Sequence, residues 1–235
     1  LRVLAELDMG QRRTGCASPA DAAALAAAIA AAPGLTFAGV QGYWGHLQQV
    51  SPLDERRRRA GEEAGRLREL LARLSGEGRS VAIVTGGGTG TSAIDPDLGL
   101  FTEIQPGSYL FLDSAYGAID VDAGGNPFRP SLFVSAEVVS SVRPGRAVVN
   151  AGLKAFATDS GRPVPLRGAP SGATYTFMGD EHGAVDHDPD AGRIAPGTRI
   201  EFLTSHCDPT VNLYRAYHVR RGGAIVDVWP IAAHH

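Results

Sequence analysis

The chain has 235 residues, a net charge of −3 and a sequence pI near 6.2, with 43% hydrophobic and 20% charged residues. That length buries a core as one large domain or two smaller ones, and this charge balance leaves no electrostatic footprint for a nucleic-acid partner. Two cysteines, Cys16 and Cys207, form no disulfide framework and fit a reduced, cytoplasmic chain, and the Ala-rich 22–32 segment is too short and too weakly apolar for a membrane span.

The first half alternates strand and helix. The opening residue is not Met, and Leu1 to Leu7 already reads as a strand, so sequence upstream is expected to be missing. No signal-peptide pattern is visible. Val3 to Asp8 is the first expected strand. Ser18-Pro19-Ala20-Asp21 is a helix start, with Ser as N-cap, Pro at the first helical position and an acid in the first turn. This helix runs to about Ala32 and stops at Pro33-Gly34. Phe37 to Gln41 is the next strand, and Ser51-Pro52-Leu53-Asp54 repeats the start signal. The second helix carries Leu67, Leu70, Leu71 and Leu74 on one stripe and ends at Gly76. Its run Asp54-Glu55-Arg56-Arg57-Arg58-Arg59, followed by Glu62 and Glu63, reads as a solvated face. Ser80 to Thr85, Thr102 to Gln105 and Ser108 to Asp113 are further strands. Such alternation implies a parallel sheet, about half of an eight-unit barrel, which takes roughly 250 residues. After Asp113 the texture changes. Segments 131–142, 146–149, 173–178, 198–204, 211–220 and 223–230 read as strands of an all-β domain. The boundary falls near 114–128, giving a partial (β/α) barrel over 1–115 and a β-rich domain over 116–235. His234-His235 is either native or a tag remnant.

Several motifs could carry chemistry. Ser205-His206-Cys207-Asp208 follows the apolar run Ile200 to Thr204. Read as the end of a strand, it puts His206 and Asp208 on one face and Cys207 on the other, half of a site for a divalent cation. Thr85-Gly86-Gly87-Gly88-Thr89-Gly90-Thr91-Ser92 follows a buried strand. Its glycines and hydroxyls fit a phosphate cradle better than a plain flexible turn, and it is neither a Walker loop nor a Rossmann fingerprint. Arg13 lies just past the first strand, and Tyr43 and His46 just past the second, where barrel enzymes place function. Alone, Arg13 is an ordinary surface arginine, and a lone histidine there fits a structural as well as a functional reading. Asp180-Glu181-His182 is a weaker metal or catalytic candidate, and Asp186-His187-Asp188 reads as a solvated turn. The only lysine is Lys154.

Taken in order, Glu6-x-Asp8-x-Gly10-x-x-Arg13-x-Gly15, Gly42-Tyr43-x-Gly45-His46, Gly86 to Thr91, Gln105 to Tyr109, Ala151 to Ala155, Glu181-His182-Gly183 and His206-x-Asp208-Pro209-Thr210-Val211-Asn212 resemble the D-threonine aldolase / D-serine dehydratase family, relatives of alanine racemase among the fold type III pyridoxal-phosphate enzymes. The resemblance covers almost the whole chain. It implies the C-terminal half of an alanine racemase-like barrel followed by an all-β domain. It implies that Gly87, Gly88, Thr89 and Gly90 hold the phosphate of pyridoxal 5'-phosphate, that Arg13 faces the pyridine nitrogen, and that Tyr43 contacts the ring or the substrate. His206 and Asp208 would bind a divalent metal (Mn, Mg or Zn), and His46 is a candidate base. The family's Schiff-base lysine belongs upstream of residue 1, and Lys154 is not at that position.

The activity so implied is retro-aldol cleavage of a D-β-hydroxy-amino acid, a small-molecule substrate, to glycine and an aldehyde. An alternative is dehydration to a keto acid and ammonia, as for D-serine or D-3-hydroxyaspartate. Within the resemblance the dehydratase branch carries His-x-Cys at the metal and the aldolase branch His-x-Asp, so Asp208 favours the aldolase. A second alternative is a non-catalytic fragment or cofactor-binding remnant lacking the lysine. The resemblance also implies a homodimer.

Overall fold

The structure, a computed structural model, describes residues 1–232; His234 and His235 lie outside the described residues. It divides into two units, Leu1–Tyr109 with Ala118–Pro127, and Leu110–Gly117 with Phe128 onward.

Strand β1 (Arg2–Glu6) opens the first unit, followed by α1 (Pro19–Ala31), β2 (Thr36–Gly42), α2 (Leu53–Gly76), β3 (Ile83–Gly86) and β4 (Glu103–Ile104). The four strands lie in the order β1-β2-β3-β4, every pair parallel. Neighbours in sequence are neighbours in space, as in a barrel wall and unlike a doubly wound sheet, whose order reverses midway. Ser18 caps α1 as its sequence requires, its hydroxyl accepting from the Asp21 N–H at 3.1 Å with Pro19 opening the helix. The helix buries Ala22, Ala23, Ala26 and Ile29, and the three small alanines allow close approach to α2. The second start signal works differently. Pro52, extended at ψ 174°, occupies the cap position itself, and no side chain caps α2.

Helix α2 buries Ala60, Ala64, Leu67, Leu70 and Leu74, one stripe at helical spacing. Arg58 and Arg59 pair with Glu55 and Glu62 on its outer face, as the charge run implies. Arg56 departs from that reading. It is fully buried, and its guanidinium donates to the Val50 carbonyl at 2.5 Å and to the Asp120 carbonyl. This bond, with buried Ile119 and Val121, ties residues 118–127 to the first unit. The expected strand at 108–113 does not form; Ser108–Leu110 is a single 3-10 turn.

In the second unit a short helix α3 (Ser114–Gly117) is followed by β5 (Phe133–Arg143), β6 (Arg146–Val149), β7 (Val164–Arg167), β8 (Thr174–Phe177), β9 (Gly183–Asp186), β10 (Arg199–Leu203), α4 (Cys207–Val211) and the hairpin β11 (Ala216–Arg221) with β12 (Ala224–Pro230). The main sheet runs β7-β10-β5-β6-β9-β8, antiparallel throughout. Its edge strands β7 and β8 come back into contact, so the sheet curls on itself. Inward positions alternate along β5, with Val134, Ala136 and Val138 buried. The core centres on Phe156, Tyr175, Phe177 and Phe202, packed edge to face with the Phe156 and Phe202 centroids 5.6 Å apart. Buried Tyr175 donates its hydroxyl to the Ala151 carbonyl at 2.6 Å.

Candidate active site

In the first unit the sequence-predicted residues all follow the carboxyl ends of parallel strands. Arg13 comes after β1, Tyr43 and His46 after β2, and Gly87 to Gly90 after β3. Asp8 shapes the first of these loops. Its Oδ1 accepts from the Gly10 and Arg12 N–H groups, both at 2.9 Å, and the Arg12 bond leads the effects that hold its carboxyl below the usual range. The loop brings the Arg13 guanidinium over the Tyr43 ring, 5.2 Å from its centroid. Arg13 is exposed and Tyr43 half-buried. His46, also exposed, sits in the 3-10 turn Gly45–Leu47, its ring beside Gly10.

The Gly-rich loop is buried and held from behind by residues the motif alone does not reveal. Gln48 Oε1 accepts from the Gly90 N–H at 2.9 Å, and its Nε2 donates to Thr91 Oγ1 at 3.1 Å. Asp95 Oδ2 accepts from the Thr91 hydroxyl at 2.7 Å and from the Gly88 N–H at 3.3 Å. Trp44 donates its indole N–H toward the same Thr91 oxygen at 3.4 Å. Gly87 has φ +62°, and a Cβ there would overlap the Asp95 carboxylate; one on Gly90 would overlap the Gln48 carbonyl oxygen. The glycines are therefore demanded first by close packing. Two of the loop's N–H groups are committed inward, at Gly88 and Gly90. The Thr89 hydroxyl accepts from the Tyr109 N–H at 3.2 Å and keeps its own proton to donate. Burial pushes the fully enclosed Asp95 carboxyl up to about 6, against the pull of its bonds from Thr91 and Gly88.

In the second unit the structure corrects the strand reading of 205–208. Strand β10 stops at Leu203, His206 is the extended N-cap residue of α4 (φ −146°, ψ 123°), and Cys207 and Asp208 open that helix. His206 and Asp208 still approach each other, with Nε2 to Oδ2 at 3.5 Å, because a helix's first turn folds back on its cap and not because of strand parity. Cys207 turns inward, away from His206 and Asp208, and burial pushes its thiol up to about 11. Buried Asp113 accepts from the Cys207 N–H at 3.3 Å, and Thr210 donates its hydroxyl to the His206 carbonyl at 2.7 Å. On the other edge of the imidazole, Asp159 Oδ2 accepts from Nδ1 at 2.6 Å. Among the described residues no three His, Cys, Asp or Glu side chains are gathered to enclose an ion, so His206 and Asp208 stand as a half-site. They border a cleft of about 720 Å³ whose other wall is apolar, with Leu153, Phe156, Pro209 and Leu213. Glu181 is paired with Lys154 on the surface, and Asp186 with Arg146 through two bonds at 2.6 and 3.0 Å.

Asp95, Gln48, Asp113 and Asp159 are the site residues that sequence reasoning missed. Each acts on a segment far from it in sequence or outside its own motif, so no local spacing marks it.

The model of the alanine racemase N-terminal domain matches residues 1–115, and that of a putative serine dehydratase domain matches residues 131–220. A D-threonine aldolase of Arthrobacter sp is 40% identical over 98% of this chain and 60% of its own length. A 3-hydroxy-D-aspartate aldolase of Paracoccus denitrificans (strain Pd 1222) is 35% identical over 99% of the chain, again 60% of its own. The crystal structure of D-threonine aldolase from Filomicrobium marinum superposes with a TM-score of 0.90 at 37% identity, over 98% of this chain and 62% of that one. The chain thus spans about three fifths of the length of the curated relatives it matches. Among the described residues no helix is long and apolar enough to cross a membrane. The chain thus carries an alanine racemase N-terminal domain and a putative serine dehydratase domain, and along nearly its whole length it is similar to D-threonine and 3-hydroxy-D-aspartate aldolases.

Proposed function

We propose that the protein cleaves D-β-hydroxy-amino acids between Cα and Cβ to glycine and an aldehyde, with pyridoxal phosphate and a divalent metal. The observation that carries this reading is the alignment of Arg13, Tyr43, His46 and the Gly-rich loop at the carboxyl ends of β1, β2 and β3, the edge where parallel α/β sheets bind ligands.

The residues present fit the cofactor. The Thr89 hydroxyl and the close-packed glycine turn offer a donor and room for a phosphate, while the Gln48 and Asp95 bonds hold the turn in shape. Gly87, Gly88, Thr89 and Gly90 form that cradle. Arg13, stacked on Tyr43, would be the cation at the pyridine edge; a guanidinium only donates hydrogen bonds, so it would keep the ring nitrogen unprotonated. His206 and Asp208, one imidazole and one carboxylate, suit a borderline or hard ion such as manganese, magnesium or zinc. When bound, pyridoxal phosphate supplies an electron sink for the carbanion at Cα, and the metal supplies a Lewis acid for the β-hydroxyl. His46, exposed at the strand ends, is our candidate to take the β-hydroxyl proton. The substrate is a small D-amino acid, and a cytoplasmic homodimer is part of the same proposal.

Dehydration is the second reading, favoured by the serine dehydratase match over residues 131–220. Product analysis separates the two. Protein expressed from the complete coding sequence, given pyridoxal phosphate, Mn²⁺ and D-threonine, is expected to release glycine and acetaldehyde. Release of 2-oxobutanoate and ammonia instead would overturn the aldolase reading, and turnover of neither kind would overturn both.

A further inference from the structure

We infer that Asp159 is a positioning residue that fixes the tautomer and the aim of His206, so that its Nε2 lone pair faces the ion beside Asp208; this rests on the metal reading of that pair. An ionised carboxylate only accepts hydrogen bonds. Its 2.6 Å contact with Nδ1 therefore requires the proton on Nδ1, so in the neutral imidazole Nε2 is the bare nitrogen. Nε2 is the nitrogen that lies 3.5 Å from Asp208 Oδ2. Asp159 and Asp208 occupy opposite edges of one ring, so Asp159 holds the ligand without sharing its ion. A histidine ligand commonly needs such a partner, because a free imidazole divides between two tautomers and spins about its side-chain torsions.

The loop that carries Asp159 is built to hold it there. Phe156 anchors it in the aromatic core. The Ala157 N–H donates to Thr210 Oγ1 at 3.1 Å, and Ser205 donates its hydroxyl to the Ala157 carbonyl at 3.2 Å. Tyr214 donates to the Ala155 carbonyl at 3.0 Å. These bonds run to residues on both sides of His206. The loop is thus fastened to residues flanking the imidazole, one of them, Thr210, on α4 itself. Ser160 adds a hydroxyl bond to the same Asp159 oxygen at 3.0 Å.

The test measures Mn²⁺ affinity by electron paramagnetic resonance titration of wild type, Asp159→Ala, Asp159→Asn and His206→Ala, with the His206 tautomer read from long-range ¹H–¹⁵N spectra of metal-free protein in mildly alkaline buffer. Asp159→Ala is expected to weaken Mn²⁺ about 10- to 100-fold and to replace one tautomer by a mixture, with a melting temperature close to wild type. Asp159→Asn, which keeps an acceptor oxygen, is expected to fall between wild type and Asp159→Ala. An Asp159→Ala protein that binds Mn²⁺ as wild type does, or keeps the single Nδ1–H tautomer, overturns the proposal while the metal site stands. A wild type that takes up no more Mn²⁺ than His206→Ala overturns the metal reading itself, and this role with it.

Discussion

Asp95 is a carboxyl sealed behind the Gly-rich loop, with one oxygen accepting from Thr91 and Gly88 and the other, Oδ1, without a partner among the described residues. Its folded-state pKa of about 6 lies above the ordinary carboxyl value of 3.8, so the folded chain binds the proton more tightly than the unfolded one. The sign follows. Below the unfolded value the group is neutral in both states and carries no penalty. As pH rises from about 4 to about 6 the folded state loses stability, on the order of 2–3 kcal/mol for a shift of this size. Asp95→Asn, neutral at every pH and similar in shape, is predicted to unfold at higher urea than wild type above pH 6 and to lose that advantage near pH 4. A constant difference across that window would refute the assignment. Gly90→Ala, whose methyl meets the Gln48 carbonyl oxygen, is predicted to cost about 1–3 kcal/mol and to weaken pyridoxal phosphate more than pyridoxal, measured by equilibrium dialysis. The motif singles out these glycines but not the packing that requires them. A phosphate needs close backbone approach, but the first demand on Gly87 and Gly90 comes from Asp95 and Gln48, which no motif spacing connects to them.

Among the elements, the legible ones carry their own signals. The Ser18-Pro19-Asp21 start gives α1, the leucine stripe gives α2, and alternation along 133–143 gives β5. The illegible ones are short or decided by neighbours. Strands β7 and β9 have four residues each, one containing Pro165 and the other beginning at Gly183, so neither shows a run that reads as a strand. The turn from β10 into α4 reads as continued strand in the sequence because Ser205, His206 and Cys207 carry no stop signal of their own. What ends the strand is tertiary: Thr204 O accepts from Ser114, Asp113 caps Cys207, and Thr210 reaches back to His206. Phe156 couples this corner to the β-domain core. Phe156→Ala is predicted to destabilise the second unit by about 3–5 kcal/mol and, through the Asp159 loop, to weaken Mn²⁺ binding as well. Loss of stability with metal affinity intact would break that link.

At the scale of the molecule, the residues proposed to hold the cofactor belong to one unit and the proposed metal pair to the other. The proposed phosphate cradle and stacked arginine lie at the parallel strand ends of the first unit, and the proposed metal pair lies at the first turn of α4 in the second. The family resemblance was legible in the order of the motifs, since each motif is weak alone and the sequence of them is not. The single Lys154 was readable too, and the structure finds it on the surface with Glu181, as an ion pair. The measurement that tests the whole reading most directly is glycine release from D-threonine by protein expressed from the complete coding sequence, after chelation and after return of Mn²⁺, beside Asp208→Ala. The account predicts that chelation abolishes release, that Mn²⁺ restores it in wild type, and that Asp208→Ala stays inactive at the same metal concentration. Glycine release that survives chelation, or that Asp208→Ala matches, would contradict it.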